Sequence, residues 1–340
     1  IGPELAAMAE VDAVVGNEAK RRLSSYSSFV PSEVEGRANG VSTALDTNGW
    51  EAPAISGADH ARAFVEVQNG CDHACTFCVI PQGRGPSRSL PVQEALRDVE
   101  RHLAGGAQEV VLTGVDLTSW GHDLTGTPSL GVLVAAILTA FPALPRIRLS
   151  SLDGIEIDAQ LFELLAHEPR VMPHVHLSLQ HGDDLILKRM KRRHLRADAV
   201  DLVARLKSAR PEIAIGADLI AGFPTEDDAG HAANNSIIAE LGIVHGHIFP
   251  YSARPGTPAA RMPQLPAETI RARAAELRQA VAEQRARWLR SLLGMPQQVL
   301  AERDGTGHAP NFARVQLEPG TQAGTIVTVT PTRIVEGLLA

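Results

Sequence analysis

From residue 62 onward the apolar positions follow two alternating rhythms. Short runs rich in β-branched residues occupy 64–67, 109–115, 146–152, 174–180, 213–222 and 245–252. Between them, apolar residues recur at helical spacing over 92–103, 130–138, 158–166, a longer region within 183–210, and 229–241. Strands alternating with helices predict repeated βα units around a parallel sheet. Right-handed crossovers curl such a sheet into a full or partial barrel. Beyond it, Ile270, Ala274, Leu277, Val281, Trp288 and Leu292 mark one long amphipathic helix over 268–293, with Gly294 as its stop. Residues 297–340 then show short strand-like runs, at 298–301, 312–317, 325–330 and 333–335, split by Gly-rich turns. The first sixty residues hold two short periodic pieces and a Gly/Ser-rich stretch, which read as a domain remnant and a linker.

Composition narrows the class without changing this outline. The 340 residues are 44% hydrophobic and 21% charged, as in ordinary globular proteins. A net charge of −7 argues against a chain that coats nucleic acid uniformly, while leaving room for a local basic patch. No apolar run approaches the ~20 residues of a membrane span, so no membrane partner is expected.

The chain holds three cysteines, Cys71, Cys75 and Cys78, and all lie in the loop directly after the first expected strand. In βα barrels the C-terminal ends of the strands carry the chemistry. Three thiolates so close in sequence can hold three irons of a cubane cluster and leave the fourth iron open. Structural zinc normally takes four protein ligands, and His73, inside the loop, would strain the ring as the fourth. An odd count in a long chain excludes a secretory disulfide framework, and free thiols imply a reducing compartment.

Six segments together resemble the radical S-adenosylmethionine (SAM) methylthiotransferases, most closely the threonylcarbamoyladenosine tRNA branch. They are 69–89 (NGCDHACTFCVIPQGRGPSRS), 112–117 (LTGVDL), 148–152 (RLSSL), 176–193 (HLSLQHGDDLILKRMKRR), 218–226 (DLIAGFPTE) and 249–259 (FPYSARPGTPA). The resemblance covers nearly the whole chain. It implies an α/β fold: a partial (βα)6 barrel over 60–294, a small RNA-binding β-barrel (TRAM-like) over 295–340, and the remnant of an N-terminal domain over 1–59. It implies a [4Fe–4S] cluster with one open iron and SAM as cofactors. It also implies the tRNA anticodon loop as substrate, a flavodoxin or ferredoxin as reductase partner, and a cytoplasmic setting. The expected reaction is methylthiolation at C2 of threonylcarbamoyladenosine, one SAM supplying the methyl group and another being reductively cleaved. The alternatives are isopentenyladenosine in tRNA, a ribosomal-protein aspartate, or a non-catalytic RNA-binding fragment with a structural cluster. Family members carry three further cysteines for an auxiliary cluster, and this sequence has none of them. The chain is therefore expected to be a truncated member that cleaves SAM without completing sulfur insertion.

The same resemblance assigns roles. Cys71, Cys75 and Cys78 would ligate the cluster. Phe77 would lie near the SAM adenine, or pack the loop. Asp116 would accept from the SAM amine, or cap a helix. Ser150 and Gln180, at strand ends, would contact SAM, as would Ile220 beside the adenine. Asp218 would face either the core or the ligand, depending on register. Arg193, in the dense basic run 188–196, would pair with the SAM carboxylate or tRNA phosphate. Arg84, Arg88, Ser252 and Arg254 would touch substrate. His181 departs from the serine common in the family. The pairs His174/His176 and His245/His247 each share a strand face and read as structural histidines more than metal ligands.

Overall fold

The computed structural model describes residues 61–340. The expected remnant and linker over 1–59 lie outside the described residues. Six parallel strands form the barrel: β1 (Arg62–Asn69), β3 (Glu109–Gly114), β4 (Arg146–Leu149), β5 (His174–Gln180), β6 (Ala214–Ala221) and β7 (Ile243–Pro250). The ladders run β1-β3-β4 and β5-β6-β7. Two isolated bridges, Ile147 with Val171 and Leu152 with Leu177, join β4 to β5. A two-residue strand, β2 (Arg88–Ser89), runs antiparallel on the outer side of β1. The outline expected from the sequence thus holds as an α/β partial barrel.

The helices are α1 (Ile80–Arg84), α2 (Val92–Ala104), α3 (Leu130–Ala140), α4 (Ala159–His167), α5 (Asp184–Arg189), α6 (Arg196–Ala209), α7 (Asp228–Leu241) and α8 (Ala267–Ser291). The long helical region within 183–210 is two helices, because Lys191 takes a left-handed backbone (φ 57°) between them. No described helix is long and apolar enough to cross a membrane.

Side chains alternate across each strand. One set, including Val110, Leu112, Ile147, Val175, Leu177, Ile215 and Leu219, is buried against Val99, Ile137, Leu161, Leu206, Ile237 and Leu277 of the helices. Each such side chain contributes about 1.5–3 kcal/mol by burial. The opposite set points into the barrel and is polar: Glu109, Arg148, His174, His176, Asp218, His245 and His247.

Residues 297–339 form a six-stranded sheet in the order β11-β8-β9-β10-β13-β12. Its strands are β8 (Gln297–Ala301), β9 (Thr306–His308), β10 (Arg314–Gln316), β11 (Ile326–Val329), β12 (Ile334–Val335) and β13 (Leu338–Leu339). Val299, Val315 and Leu339 make its core with Leu289 and Leu292 at the end of α8. This sheet closes the barrel floor. Phe312 stacks on His174 at 4.9 Å and on His308 at 4.6 Å. Arg148 pairs with buried Glu109 at 2.8 Å and donates to the Pro310 carbonyl at 3.1 Å. Arg146 donates to the carbonyls of Gln298 and His308.

Candidate functional site

At the other end of the barrel the three cysteines gather in one loop. Gly70 starts it with φ 76°, and a Cβ there would meet the Pro86 carbonyl oxygen at 1.9 Å. Only glycine lets the chain leave β1 so tightly under that carbonyl. All three thiols are free and half-buried. Each sulfur accepts a hydrogen bond: Cys71 from the His73 backbone N–H (3.4 Å), Cys78 from the Ile80 backbone N–H (3.4 Å), and Cys75 from Arg192 Nη1 (3.7 Å). Such bonds stabilise thiolates and tune cluster potentials. Burial pushes the Cys71 thiol up to about 12, aided by Asp116, against the His73 N–H. Burial also raises Cys78. Three ligand sulfurs with donors already aimed at them fit a three-thiolate cluster.

Around the loop runs a charged network. Asp116 Oδ2 accepts from Ser119 Oγ at 2.8 Å, lies 2.9 Å from His73 Nε2, and accepts from the Cys71 thiol at 3.6 Å. Hydrogen bonds to Asp116 and Glu156 raise His73 to about 10. Burial acts to raise Glu156, yet His73 and Arg193 hold it down at about 2. Asp116 is therefore engaged by the cysteine loop through Oδ2.

Arg193 sits at the rim of this network. Its guanidinium lies 2.5 Å from Glu156 and 3.2 Å from His73, half-exposed at the rim. The guanidinium that reaches a cysteine is that of its neighbour Arg192, which also donates to Asp153 and the Ser178 carbonyl, each at 2.8 Å. The rest of the basic run is similarly engaged. Arg189 donates to Thr225, and Arg196 to two carbonyls, Ser236 and Glu240. Only Lys188, Lys191 and the half-paired Arg193 project outward.

The strand ends present the remaining candidates. Ser150 Oγ is buried and makes no hydrogen bond. Gln180 takes φ 68°, a strained backbone for this residue, at the end of β5. Ile220 is buried in an apolar patch with Phe223, Tyr251, Met190 and Phe77. Phe77 meets Phe223 edge-on at 6.3 Å. Ser252 and Arg254 are exposed in the loop after β7. Arg84 is exposed, with one long contact to Asn69, while Arg88 donates to the carbonyls of Arg84 and Pro86 and so ties the loop to itself. Asp218 faces the barrel interior, where His176 and His247 hold it.

Sequence reasoning missed Glu226. It is fully buried and accepts from His181 at 3.0 Å, from the Gly222 and Phe223 N–H groups, and from Arg273 at 2.9 Å. This hub fixes the loop after β6 and gives the unusual His181 its partner. The Glu226 that ends the DLIAGFPTE segment was the available signal.

Residues 65–233 match the model of the radical SAM superfamily. The threonylcarbamoyladenosine tRNA methylthiotransferase MtaB of Rickettsia prowazekii is 42% identical, covering 98% of this chain and 78% of its own. The tRNA-2-methylthio-N(6)-dimethylallyladenosine synthase of Cereibacter sphaeroides (strain ATCC 17025 / ATH 2.4.3) is 34% identical, covering 94% and 73%. The MtaB of Bacillus subtilis is 32% identical, covering 79% and 59%.

Proposed function

Because this chain belongs to the radical SAM tRNA methylthiotransferases, we propose that its substrate is threonylcarbamoyladenosine beside the anticodon, rather than isopentenyladenosine. The chain is a radical SAM enzyme of the tRNA-methylthiolating family, with a [4Fe–4S] cluster and SAM as cofactors. The higher identity to the threonylcarbamoyladenosine enzyme, 42% against 34%, supports the choice of substrate. The observation that carries the site is the gathering of three free thiols, each with its own hydrogen-bond donor, at the barrel end that carries the orphaned Ser150 hydroxyl.

When bound, the cluster supplies the electron that breaks a carbon–sulfur bond of SAM. The protein positions and shields. Cys71, Cys75 and Cys78 would hold three irons of the cluster. Arg192 places a fixed positive charge beside Cys75 and braces the loop through Asp153. Ser150 Oγ and the Gln180 side chain, near the open side, suit the polar parts of SAM. The patch of Ile220, Phe223 and Tyr251 suits its adenine and keeps water away. Lys188, Lys191, Arg193, Arg84 and Arg254 offer cations to tRNA phosphates, so binding weakens with salt. The anticodon loop suits this site because its bases can be extruded singly. The C-terminal sheet is the RNA grip in this proposal, a small ferredoxin or flavodoxin the electron donor, and the cytoplasm the setting.

The test is anaerobic reconstitution followed by SAM cleavage, with tRNA carrying either modified adenosine. Stimulation of 5′-deoxyadenosine formation by threonylcarbamoyl-tRNA alone supports the assignment. Stimulation by isopentenyl-tRNA alone overturns it.

A further inference from the structure

Midway down the barrel, three neighbouring strands each contribute one metal-binding side chain to the same point. His176 on β5, Asp218 on β6 and His247 on β7 place their ligand atoms within 4.8 Å of one another. His176 Nε2 lies 2.9 Å from Asp218 Oδ1, and His247 Nδ1 lies 3.1 Å from the same oxygen. Both ring nitrogens thus aim at one carboxylate oxygen, and Oδ2 makes no hydrogen bond among the described residues. We propose that this triad is a second metal site, separate from the cysteine loop, for a zinc-type divalent transition ion.

The spacing suits such an ion. Bonds of about 2.0–2.1 Å in a tetrahedron put ligand atoms about 3.3 Å apart, close to both measured edges. Two imidazoles and a carboxylate are a ligand set that first-row transition ions prefer over magnesium or calcium. The frame is rigid, because all three residues sit in register on paired strands: Asp218 opposite His247, and His176 opposite Gly216. Gly216 makes room, since a Cβ there would meet His176 Nδ1 at 2.3 Å. The two rings lie against each other with centroids 4.5 Å apart. His247 remains 64% exposed, so an ion from solvent can reach the site. This assignment goes beyond the methylthiotransferase reading and does not depend on it.

The experiment uses the full chain with its cluster reconstituted, so that iron occupies the cysteines. After equilibration with zinc and gel filtration, zinc and iron are counted separately, and X-ray absorption at the zinc edge reports the ligand shell. One zinc per chain with only nitrogen and oxygen neighbours is expected. His247→Ala, at an exposed side chain, and the isosteric Asp218→Asn should weaken zinc by more than the roughly 10–100-fold that loss of an outer hydrogen-bond partner costs. Their iron content and melting should stay unchanged. Absence of zinc, a shell containing sulfur, or full zinc in both variants would overturn the site. Because the readout is metal content, a wrong tRNA substrate would leave it untouched.

Discussion

The mouth and the floor of the barrel use the same kinds of residue in opposite ways. At the floor, Arg148 and Glu109 are 3% and 0% exposed, and the third guanidinium nitrogen donates to the Pro310 carbonyl ahead of β10. His174 and His245 are neutral aromatic plates against Phe312 and Trp288. At the mouth, Arg193 is 47% exposed, Ser150 Oγ has no partner, Gln180 is strained, and the thiols are free. The floor is closed in charge, because Arg148 and Glu109 answer each other inside the protein, while His174 Nδ1 and Nε2 and His245 Nε2 are buried against rings without a hydrogen bond. The mouth is unfinished, and its open valences are what a cofactor would satisfy. A buried charge with its counter-charge beside it marks structure, whereas free thiols beside a half-exposed cation and an unpaired hydroxyl mark a place where a ligand can bind.

The largest effect that sharpens this contrast is at the cysteines. Cys75→Ala should abolish cluster assembly and SAM cleavage while leaving the melting temperature of the cluster-free chain almost unchanged. Iron analysis beside calorimetry checks both halves. A cluster that survives the substitution would remove Cys75 from the ligand set. The floor should respond the other way round. Glu109→Gln leaves a buried guanidinium without its counter-charge and should cost about 3–5 kcal/mol of stability. Arg193→Ala at the rim should cost no more than about 1 kcal/mol. Equal losses in urea unfolding would erase the distinction between the two ends.

That distinction was only half legible in the sequence. The barrel strands read clearly, because β-branched runs buried on one face stand out from helical spacing. The cysteine loop read clearly, because its spacing carries its chemistry. Strands β9 and β13 did not, being two or three residues long and next to glycines. Arg192 could not be told from Arg193, since the turn at Lys191 decides which neighbour points inward. The side of the sheet that Asp218 faces depends on register, and its pairing with His176 and His247 needs three strands brought together. The plug of Phe312 into the barrel floor joins residues more than 130 positions apart, and no local pattern records it.

Acid gives the next largest effect and again separates the two ends. Burial and the neighbouring Arg285 lower His245 from 6.5 to about 3. Burial likewise holds His174 well below 6.5. Below pH 6.5 the unfolded chain takes up protons that the folded floor refuses, so stability falls as pH drops from 6.5 towards 3. His245 alone should cost about 2 kcal/mol at pH 5. Melting of His245→Phe against the parent between pH 7.5 and 5 checks this, because the variant should show a shallower decline. Parallel curves would mean that His245 does not stay neutral.

The smallest effect is also the sharpest test of the unfinished mouth. In the folded chain Ser150 Oγ is buried without a partner. A buried hydroxyl lacking its hydrogen bond costs about 1–3 kcal/mol. Removing it in Ser150→Ala should therefore leave the cofactor-free protein as stable as the parent, or slightly more so. If SAM supplies the missing partner, the same change should weaken SAM binding by roughly 2- to 10-fold, the worth of one ordinary hydrogen bond. A serine that merely braced the loop would do the reverse, lowering the melting temperature without touching SAM affinity. Calorimetry of the bare chain and SAM titration of the reconstituted one separate these two outcomes, and only the first belongs to a binding site.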